Sequence, residues 1–248
     1  MKTCAKIIIA FFLLTTHHPL LTLHAAESKP DGLHTDYYPN GMVMQYINYE
    51  DGVPHGGYKK YNDGGVLIEE GSYYMGHMEG EARKYYDTGK LGEISNFAGG
   101  KLHGSNKHYS PNEILVFETT YLNGELHGPY YAYNEQGSKI EEGQYIHNKL
   151  HGVAKKYDDN GTLMEAVTFV EDKIHGTARS FDPDQNMEVE WNYKNGVLDG
   201  PSRHCGIDGK VLIEKNYKNG QLHGPVHYFG ADGSIRVTQN YENGQRIS

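Results

Sequence analysis

Glycine recurs every 24 residues through most of this 248-residue chain. The eight glycines in this register, called the anchor glycines below, are Gly56, Gly80, Gly104, Gly128, Gly152, Gly176, Gly200 and Gly224. A fixed period of this length is typical of repeat architectures, in which each unit packs on its neighbours. The chain is therefore predicted to form a tandem array, with the anchor glycines in structural positions.

Two aromatic columns share this period. One column, seven residues before the anchor position, is Tyr49, Tyr73, Phe97, Tyr121, Tyr145, Phe169, Tyr193, Tyr217 and Tyr241. The other, five residues after it, is Tyr37, Tyr61, Tyr85, Tyr109, Tyr133, Tyr157, Phe181, Cys205 and Phe229. Aromatic residues favour strands, so both columns are predicted to lie in strands.

Two further columns indicate turns. Four residues before the anchor position stand Gly52, Gly76, Gly100, Gly124, Asn148, Asp172, Gly196, Gly220 and Gly244, often within Asn-Gly. Nine residues after it stand Gly41, Gly65, Gly89, Glu113, Gly137, Gly161, Gln185, Gly209 and Gly233. Asn and Asp tolerate positive φ best among non-glycine residues, so the first column predicts tight Asn-Gly hairpin turns.

The segments between the turns are too short for helices and rich in strand-forming residues, as 129–133 and 139–145 illustrate. Each repeat is therefore predicted to be two antiparallel strands in an all-β fold. Counting in twos places the aliphatic column that begins at Leu67 on the same face as the Tyr49 column. Cross-strand ion pairs are expected between cations on the first strand (Lys59, Arg83, Lys107, Lys155, Arg179, Arg203) and carboxylates on the second (Glu69, Glu93, Glu141, Glu165).

The repeated unit Tyr-x-Asn-Gly-x-Leu-His-Gly-Pro-x-x-x-Tyr, at 121–133 and with Phe last at 217–229, resembles the MORN-repeat variant of bacterial YwqK-type proteins, which carry a toxin-antitoxin system antitoxin label. The resemblance covers about residues 34–248. It implies an elongated single-layer twisted antiparallel sheet of stacked hairpins and a role in binding. It brings no catalytic residue.

The N-terminus has the layout of a cleavable signal peptide. Lys2 and Lys6 precede an apolar run at 7–14, and the segment closes on Ala25 and Ala26. We therefore predict a signal peptide at 1–26, a linker at 27–33, a repeat array of about eight and a half units at 34–248, and a secreted or periplasmic location. An uncleaved anchor is the alternative.

Charge narrows the range of partners. Without residues 1–26, which hold two lysines and no carboxylate, 21 basic residues face 32 acidic ones, a net charge of −11. Nucleic acid is excluded as a partner on this ground, and membrane association is disfavoured. Because the processed chain keeps only Cys205, it can form no internal disulfide.

No catalytic, cofactor or metal site is predicted. Six histidines directly precede an anchor glycine: His55, His103, His127, His151, His175 and His223. Equivalent positions two strands apart are separated by roughly 9–10 Å, too far for this column to chelate one ion. His204, Cys205 and His227 are the nearest approach to a soft-metal or nucleophile cluster, but strand alternation separates His204 from Cys205.

The function expected from the sequence is therefore a non-catalytic scaffold outside the cytoplasm that binds a protein or a glycan. Tyr109, Tyr133 and Tyr157 are the candidate interaction surface, since a single-layer sheet cannot bury both faces. The competing interpretation is that this column packs wholly between repeats. Alternatives for the function are an immunity protein that neutralises an exported toxin and a peripheral membrane module. Exposed edge strands also allow self-association.

Overall fold

A computed structural model describes residues 29–248, and the predicted signal peptide lies outside the described residues. The described chain is all-β, as the sequence predicts. Its strands in chain order are β1 Gly32–Tyr37, β2 Val43–Glu50, β3 Val53–Tyr61, β4 Leu67–Tyr74, β5 His77–Met78, β6 Gly80–Tyr85, β7 Leu91–Ala98, β8 Lys101–Tyr109, β9 Leu115–Leu122, β10 Glu125–Tyr133, β11 Lys139–Ile146, β12 Lys149–Leu150, β13 Gly152–Tyr157, β14 Leu163–Val170, β15 Lys173–Phe181, β16 Met187–Lys194, β17 Val197–Leu198, β18 Gly200–Cys205, β19 Val211–Lys218, β20 Gln221–Leu222, β21 Gly224–Phe229, β22 Ile235–Glu242 and β23 Gln245–Arg246.

These strands form one open antiparallel sheet in which each pairs with its neighbours in sequence. The pairing β2–β3–β4 is repeated along the array, and β4 pairs with both the short β5 and the following β6. The same split recurs where β11 pairs with β12 and β13. The predicted hairpin repeats and the single-layer sheet are thus confirmed. The described residues contain no helix long and apolar enough to cross a membrane.

The hairpin turns have the backbone that the glycine columns predict. At the Asn-Gly turns both central residues have positive φ, as at Asn123 (53°) and Gly124 (89°), which is the geometry of a type I′ turn. In the other turn column Glu113 and Gln185 also have positive φ (62° and 67°), although they are not glycine. The anchor glycines have φ between 78° and 122°, a region that disfavours a Cβ atom.

Successive Asn-Gly turns are joined by hydrogen bonds from one repeat to the next. The backbone N–H of Gly124 donates to the carbonyl of Leu102 at 2.7 Å, and equivalent bonds follow along the array. Where the turn residue is Asn148, its side-chain Oδ1 also accepts from the N–H of Leu126 at 2.8 Å. Asp172 accepts from Leu150 in the same way. Asn and Asp therefore contribute a second bond between repeats that glycine cannot make.

One face of the sheet, called the buried face, is closed by the residues two places after the anchor glycines. All eight are buried: Tyr58, Ala82, Asn106, Tyr130, Ala154, Ala178, Ser202 and Val226. Tyr130 and Ala154 pack in one cluster with two residues of the Tyr49 column, Tyr145 and Phe169, which are also buried. The sheet thus obtains a core from its own side chains, without a second layer.

Residue size is matched across neighbouring strands of this face. Tyr130 lies opposite Gly143, and a Cβ atom on Gly143 would lie 2.6 Å from the Tyr130 ring. Where the first strand carries Ala154, the facing residue is Val167. The Tyr58–Gly71 pair repeats the Tyr130–Gly143 arrangement three repeats earlier. In each of these pairs a larger residue therefore faces a smaller one.

Two details differ from the sequence-based expectations. The first strand begins at Gly32, inside the predicted linker 27–33, because Gly32 already pairs with Tyr49. A β-bulge shifts the register between the Lys60–Glu69 and Tyr61–Leu67 pairs. Since a bulge interrupts the alternation of side chains, counting in twos from the Tyr49 column does not assign a face to Leu67.

Candidate functional site: the ladder face

The opposite face of the sheet carries alternating charges, and we call it the ladder face. Cations three places after the anchor glycines alternate across the strands with carboxylates of the following strand. The cations are Lys59, Arg83, Lys107, Lys155, Arg179 and Arg203, and the carboxylates are Glu70, Glu118, Glu142, Glu190 and Glu214. Lys59 lies 3.1 Å from Glu70 and Lys107 lies 3.7 Å from Glu118. The predicted cross-strand ion pairs therefore exist, but with different carboxylates.

The predicted partners of these cations are wrong by one position. Glu69 and Glu141, expected on the ladder, lie on the buried face, where they accept hydrogen bonds from the hydroxyls of Tyr58 and Tyr130, both at 2.8 Å. Glu69 and Glu70 are thus sequence neighbours on opposite faces, as alternation predicts. The partner strand faces Lys59 with Glu70 rather than Glu69, and sequence alone did not fix that register.

In the C-terminal third, arginines on neighbouring strands share carboxylates of the ladder. Arg179 Nε donates to Glu190 Oε2 at 2.7 Å, and Arg203 reaches both Glu190 (3.3 Å) and Glu214 (2.9 Å). Glu190 is 8% exposed, whereas the two arginine side chains are more than 40% exposed. The guanidinium groups therefore keep a solvent-facing side while the carboxylate between them is held.

The three candidate tyrosines all lie half-buried beside the ladder, and their contacts differ. Tyr157 donates its hydroxyl to Glu142 at 2.7 Å, and Lys139 Nζ lies 5.4 Å from its ring centre. Burial, followed by the charge of Glu118, raises the pKa of Tyr133. The backbone carbonyl of Tyr109 accepts a hydrogen bond from Tyr86 at 2.6 Å. These rings are neither fully exposed nor wholly packed between repeats.

Glu142 is the most connected carboxylate of this region. It accepts from Lys139 at 2.6 Å, from Tyr157, and from Lys155 at 3.2 Å. The hydrogen bond from Lys139, together with those from Tyr157 and Lys155, outweighs burial and holds the pKa of Glu142 at about 2. Burial, followed by the hydrogen bond that Tyr157 donates to Glu142, raises the pKa of Tyr157 to about 12. Glu142 is therefore ionised at neutral pH.

A polar cluster interrupts the buried face in the third repeat. Asn106 donates to Ser95 at 2.7 Å and to Glu93 at 3.0 Å, and Ser95 donates to the same carboxylate. Burial raises the pKa of Glu93, but these bonds and the charge of Lys84 leave it below its ordinary value. The cluster is closed to solvent at Asn106, so it supports the sheet rather than a ligand.

The histidines and Cys205 are dispersed. His204 contacts Trp191 on the buried face, with ring centres 6.5 Å apart, whereas His227 lies 3.1 Å from Thr238. Cys205 is a free, half-buried thiol, and burial raises its pKa. In the column that precedes the anchor glycines, His55 contacts Glu50 at 3.1 Å. Within 29–248, no three His, Cys, Asp or Glu side chains are grouped to hold a metal ion.

Comparison with known proteins identifies the repeat type. The family model described as MORN repeat variant matches four segments, 30–51, 78–98, 150–171 and 174–195. These four segments are therefore similar to MORN-variant repeats, as the resemblance of the repeated unit implies. No curated protein matches the sequence.

Two solved structures show a weak similarity. They are described as "Crystal Structure of TcdB2-TccC3-Cdc42" and "Crystal Structure of TcdB2-TccC3", and both are 10% identical with a TM-score of 0.22. The alignments cover 84% and 86% of this chain but 14% of each of those chains. A TM-score this low supports no conclusion about this protein.

Proposed function

We propose that this protein is a non-catalytic binding scaffold that acts outside the cytoplasm and holds a protein or glycan partner on its ladder face. The observation that carries the proposal is the contrast between the two faces. The residues two places after the anchor glycines close one face by burial, while the other face keeps half-exposed cations and tyrosines in the same register along the array.

The proposed contact surface lies in the central repeats around Tyr109, Tyr133 and Tyr157. Tyrosine provides a large contact area at low cost in conformational entropy, and arginine is likewise favoured at interfaces. The array places such side chains at regular steps of two strands, so an elongated partner could contact several repeats at once. The location outside the cytoplasm is supported by the signal-peptide layout of residues 1–26.

The test compares tyrosines that share a chemical environment but differ in position. Tyr157→Ala and Tyr133→Ala should each reduce partner capture from the envelope fraction of the native organism, measured by affinity purification and mass spectrometry. Tyr85→Ala is the matched control, because Tyr85 donates to Glu70 at 2.7 Å just as Tyr157 donates to Glu142. The control should lower the melting temperature to a similar extent as Tyr157→Ala and leave capture intact.

Two outcomes would change the proposal. Unchanged capture by the folded fraction of the Tyr133 and Tyr157 variants would leave that column with a structural role only. Capture of one exported toxin, with loss of toxicity on mixing, would favour the immunity function over a general scaffold.

A further inference from the structure

The ladder face contains a depression in the first two repeats, which we call the slot. The residue directly after each anchor glycine points to this face, and the eight residues are Gly57, Glu81, Ser105, Pro129, Val153, Thr177, Pro201 and Pro225. Among these eight, Gly57 alone has no side chain. The gap it leaves opens a depression of about 590 Å³. That volume lies within the range of small-molecule sites, roughly 300–1,000 Å³.

Register places the walls of the slot on one face. Tyr46 pairs with Lys59, Lys59 with Glu70, and Glu70 with Arg83. Residues directly opposite each other in a sheet point to the same side, and so do residues two apart along a strand. Asn48, Glu81 and Leu33, which pairs with Asn48, also line the slot by that rule, while the backbone at Gly57 forms part of the floor.

The charges in the slot balance and already satisfy one another. Lys59 lies 3.1 Å from Glu70, and Arg83 lies 2.5 Å from Glu81 and 3.9 Å from Glu70. Two cations face two carboxylates, so the slot has no net charge to attract an ionic ligand. The lysine, arginine and glutamate side chains retain further donors and acceptors, since each ion pair uses only part of their hydrogen-bonding capacity.

An extended peptide is a poor fit for this place. Peptides that add a strand need an exposed sheet edge with unpaired backbone groups. The floor of the slot is the interior of the sheet, where Gly57 pairs with Ser72 and its carbonyl also accepts from the amide of Asn48 at 3.1 Å. A ligand here must bind through side chains.

We propose that the slot binds one unit of an uncharged saccharide. A sugar hydroxyl donates and accepts at once, so it can bridge a cation and a carboxylate without separating the ion pair. Tyr46 forms an aromatic wall, held by an edge-to-face contact with Tyr61 at a ring-centre distance of 5.8 Å. An aromatic ring that packs against the apolar face of a pyranose supplies contact area that the polar groups do not.

The slot does not include the central tyrosines on which the proposed function rests. Its saccharide-binding test can therefore fail without contradicting the proposed function. The experiment titrates the full array with three neutral trisaccharides, cellotriose, maltotriose and tri-N-acetylchitotriose, and with trigalacturonic acid as the charged comparison. We expect one-site binding of at least one neutral probe at millimolar concentration or below, and weaker binding of the charged probe.

Gly57→Val is the decisive variant, because it fills the slot from its floor. Gly57 has an ordinary strand backbone, and its added Cβ would meet only the Gly71 carbonyl oxygen, at 3.9 Å. The variant should therefore fold with an unchanged far-ultraviolet spectrum and lose affinity at least about ten-fold. Thr177→Val, at the same position of another repeat, should bind like the unmodified protein. Tyr46→Leu provides a second test that leaves the floor open, and should weaken binding by about three- to ten-fold.

Three results would overturn the proposal: no saturable binding of any neutral trisaccharide, binding that survives Gly57→Val in the folded protein, or tighter binding of trigalacturonic acid. None of them would bear on partner capture through the central repeats. Loss of that capture with intact saccharide binding would instead contradict the proposed function alone.

Discussion

At the scale of single residues, the buried face depends on matched volumes rather than on one residue type. Tyr130 occupies the space that a side chain on Gly143 would need, and its hydroxyl is satisfied by Glu141. The Ala154–Val167 pair fills the equivalent space in the opposite way. The same backbone thus accepts two distributions of volume, which explains why the residue at these positions varies from repeat to repeat.

Exchanging one distribution for the other should therefore be less damaging than either half of the exchange. Gly143→Val should destabilise by about 1–3 kcal/mol through overpacking, and Tyr130→Ala by about 3–5 kcal/mol through the cavity it leaves. The double variant should be more stable than the sum of these losses implies by at least ~1 kcal/mol. Urea unfolding of the four proteins measures this coupling.

Gly57→Val is the control for the valine itself, since Gly57 lies on the ladder face and its added Cβ would meet no side chain within 4 Å. Additive losses in the double variant, within about 0.5 kcal/mol, would contradict the volume-matching explanation.

Backbone conformation limits other positions more than volume does. Gly124 has a φ of 89° at an Asn-Gly turn, whereas Leu122 is a half-exposed residue at the end of β9. Gly124→Val should destabilise by about 1–3 kcal/mol because a β-branched residue is strained at positive φ. Leu122→Val should cost less than about 1.5 kcal/mol. Equal shifts of the urea midpoint in the two variants would contradict the turn assignment.

At the scale of elements, the ladder links each strand to the next through carboxylates that work as shared acceptors. Glu142 on β11 binds Lys139 of its own strand and both Lys155 and Tyr157 of β13. Exposed ion pairs contribute about 0–1 kcal/mol each, so a shared acceptor matters more for fixing the alignment of strands than for total stability.

The pH dependence of stability should report this carboxylate. Because the pKa of Glu142 is held at about 2, below its ordinary value, the folded state favours the ionised form. Its contribution is complete above the ordinary carboxyl pKa and is lost as pH falls from about 5 towards 2. Glu142→Gln should therefore be less stable at pH 7 by about 1 kcal/mol and should lose less stability between pH 5 and 2.

Thermal unfolding of the variant and the unmodified protein across this pH range measures the difference. Glu135→Gln, at an exposed turn, is the control and should follow the unmodified protein. Parallel stability curves for all three proteins would show that Glu142 carries no special share of the acid sensitivity.

The sequence predicted those positions well where the backbone conformation requires a particular residue type. It predicted less well those positions where side-chain packing alone decides the residue. Glycine at positive φ has few substitutes, so the turn columns were visible, including the exceptions at Asn148 and Asp172. The buried column was missed because Tyr130, Ala154 and Ser202 share no chemistry. The only signal in the sequence was that each of these residues lies two places after an anchor glycine.

The wrong carboxylate partners predicted for the ladder cations have a different cause. Lys59 could face Glu69 or Glu70 with equal plausibility from spacing, since the turn between the strands allows either register. The bulge beside Leu67 then changes which residues face each other. The slot at Gly57 was missed because this glycine is neither in a turn nor in the 24-residue column, and only the three-dimensional neighbours reveal the gap.

At the scale of the whole molecule, the array has no long-range closure between its ends in the described residues. Strands pair with neighbours in sequence, and bonds between turns such as Gly124–Leu102 span one repeat. Stability in such arrays is approximately the sum of repeat terms and nearest-neighbour terms. One repeat should therefore be removable if the register of the next repeat is preserved.

Deleting residues 129–152 meets that condition. The deletion joins Gly128 to Val153, keeps the 24-residue spacing to Gly176, and removes Tyr130 together with the Gly143 that accommodates it. We expect a folded β protein with one cooperative urea transition, a lower midpoint, and an m-value reduced by about a tenth, since m scales with the surface exposed on unfolding. Deleting residues 129–140 is the control, because half a period removes one strand and its turn and leaves the following strand running in the wrong direction. That variant should lose the cooperative transition. A full-period deletion that also loses it would show that the repeats depend on one continuous core instead of on their neighbours.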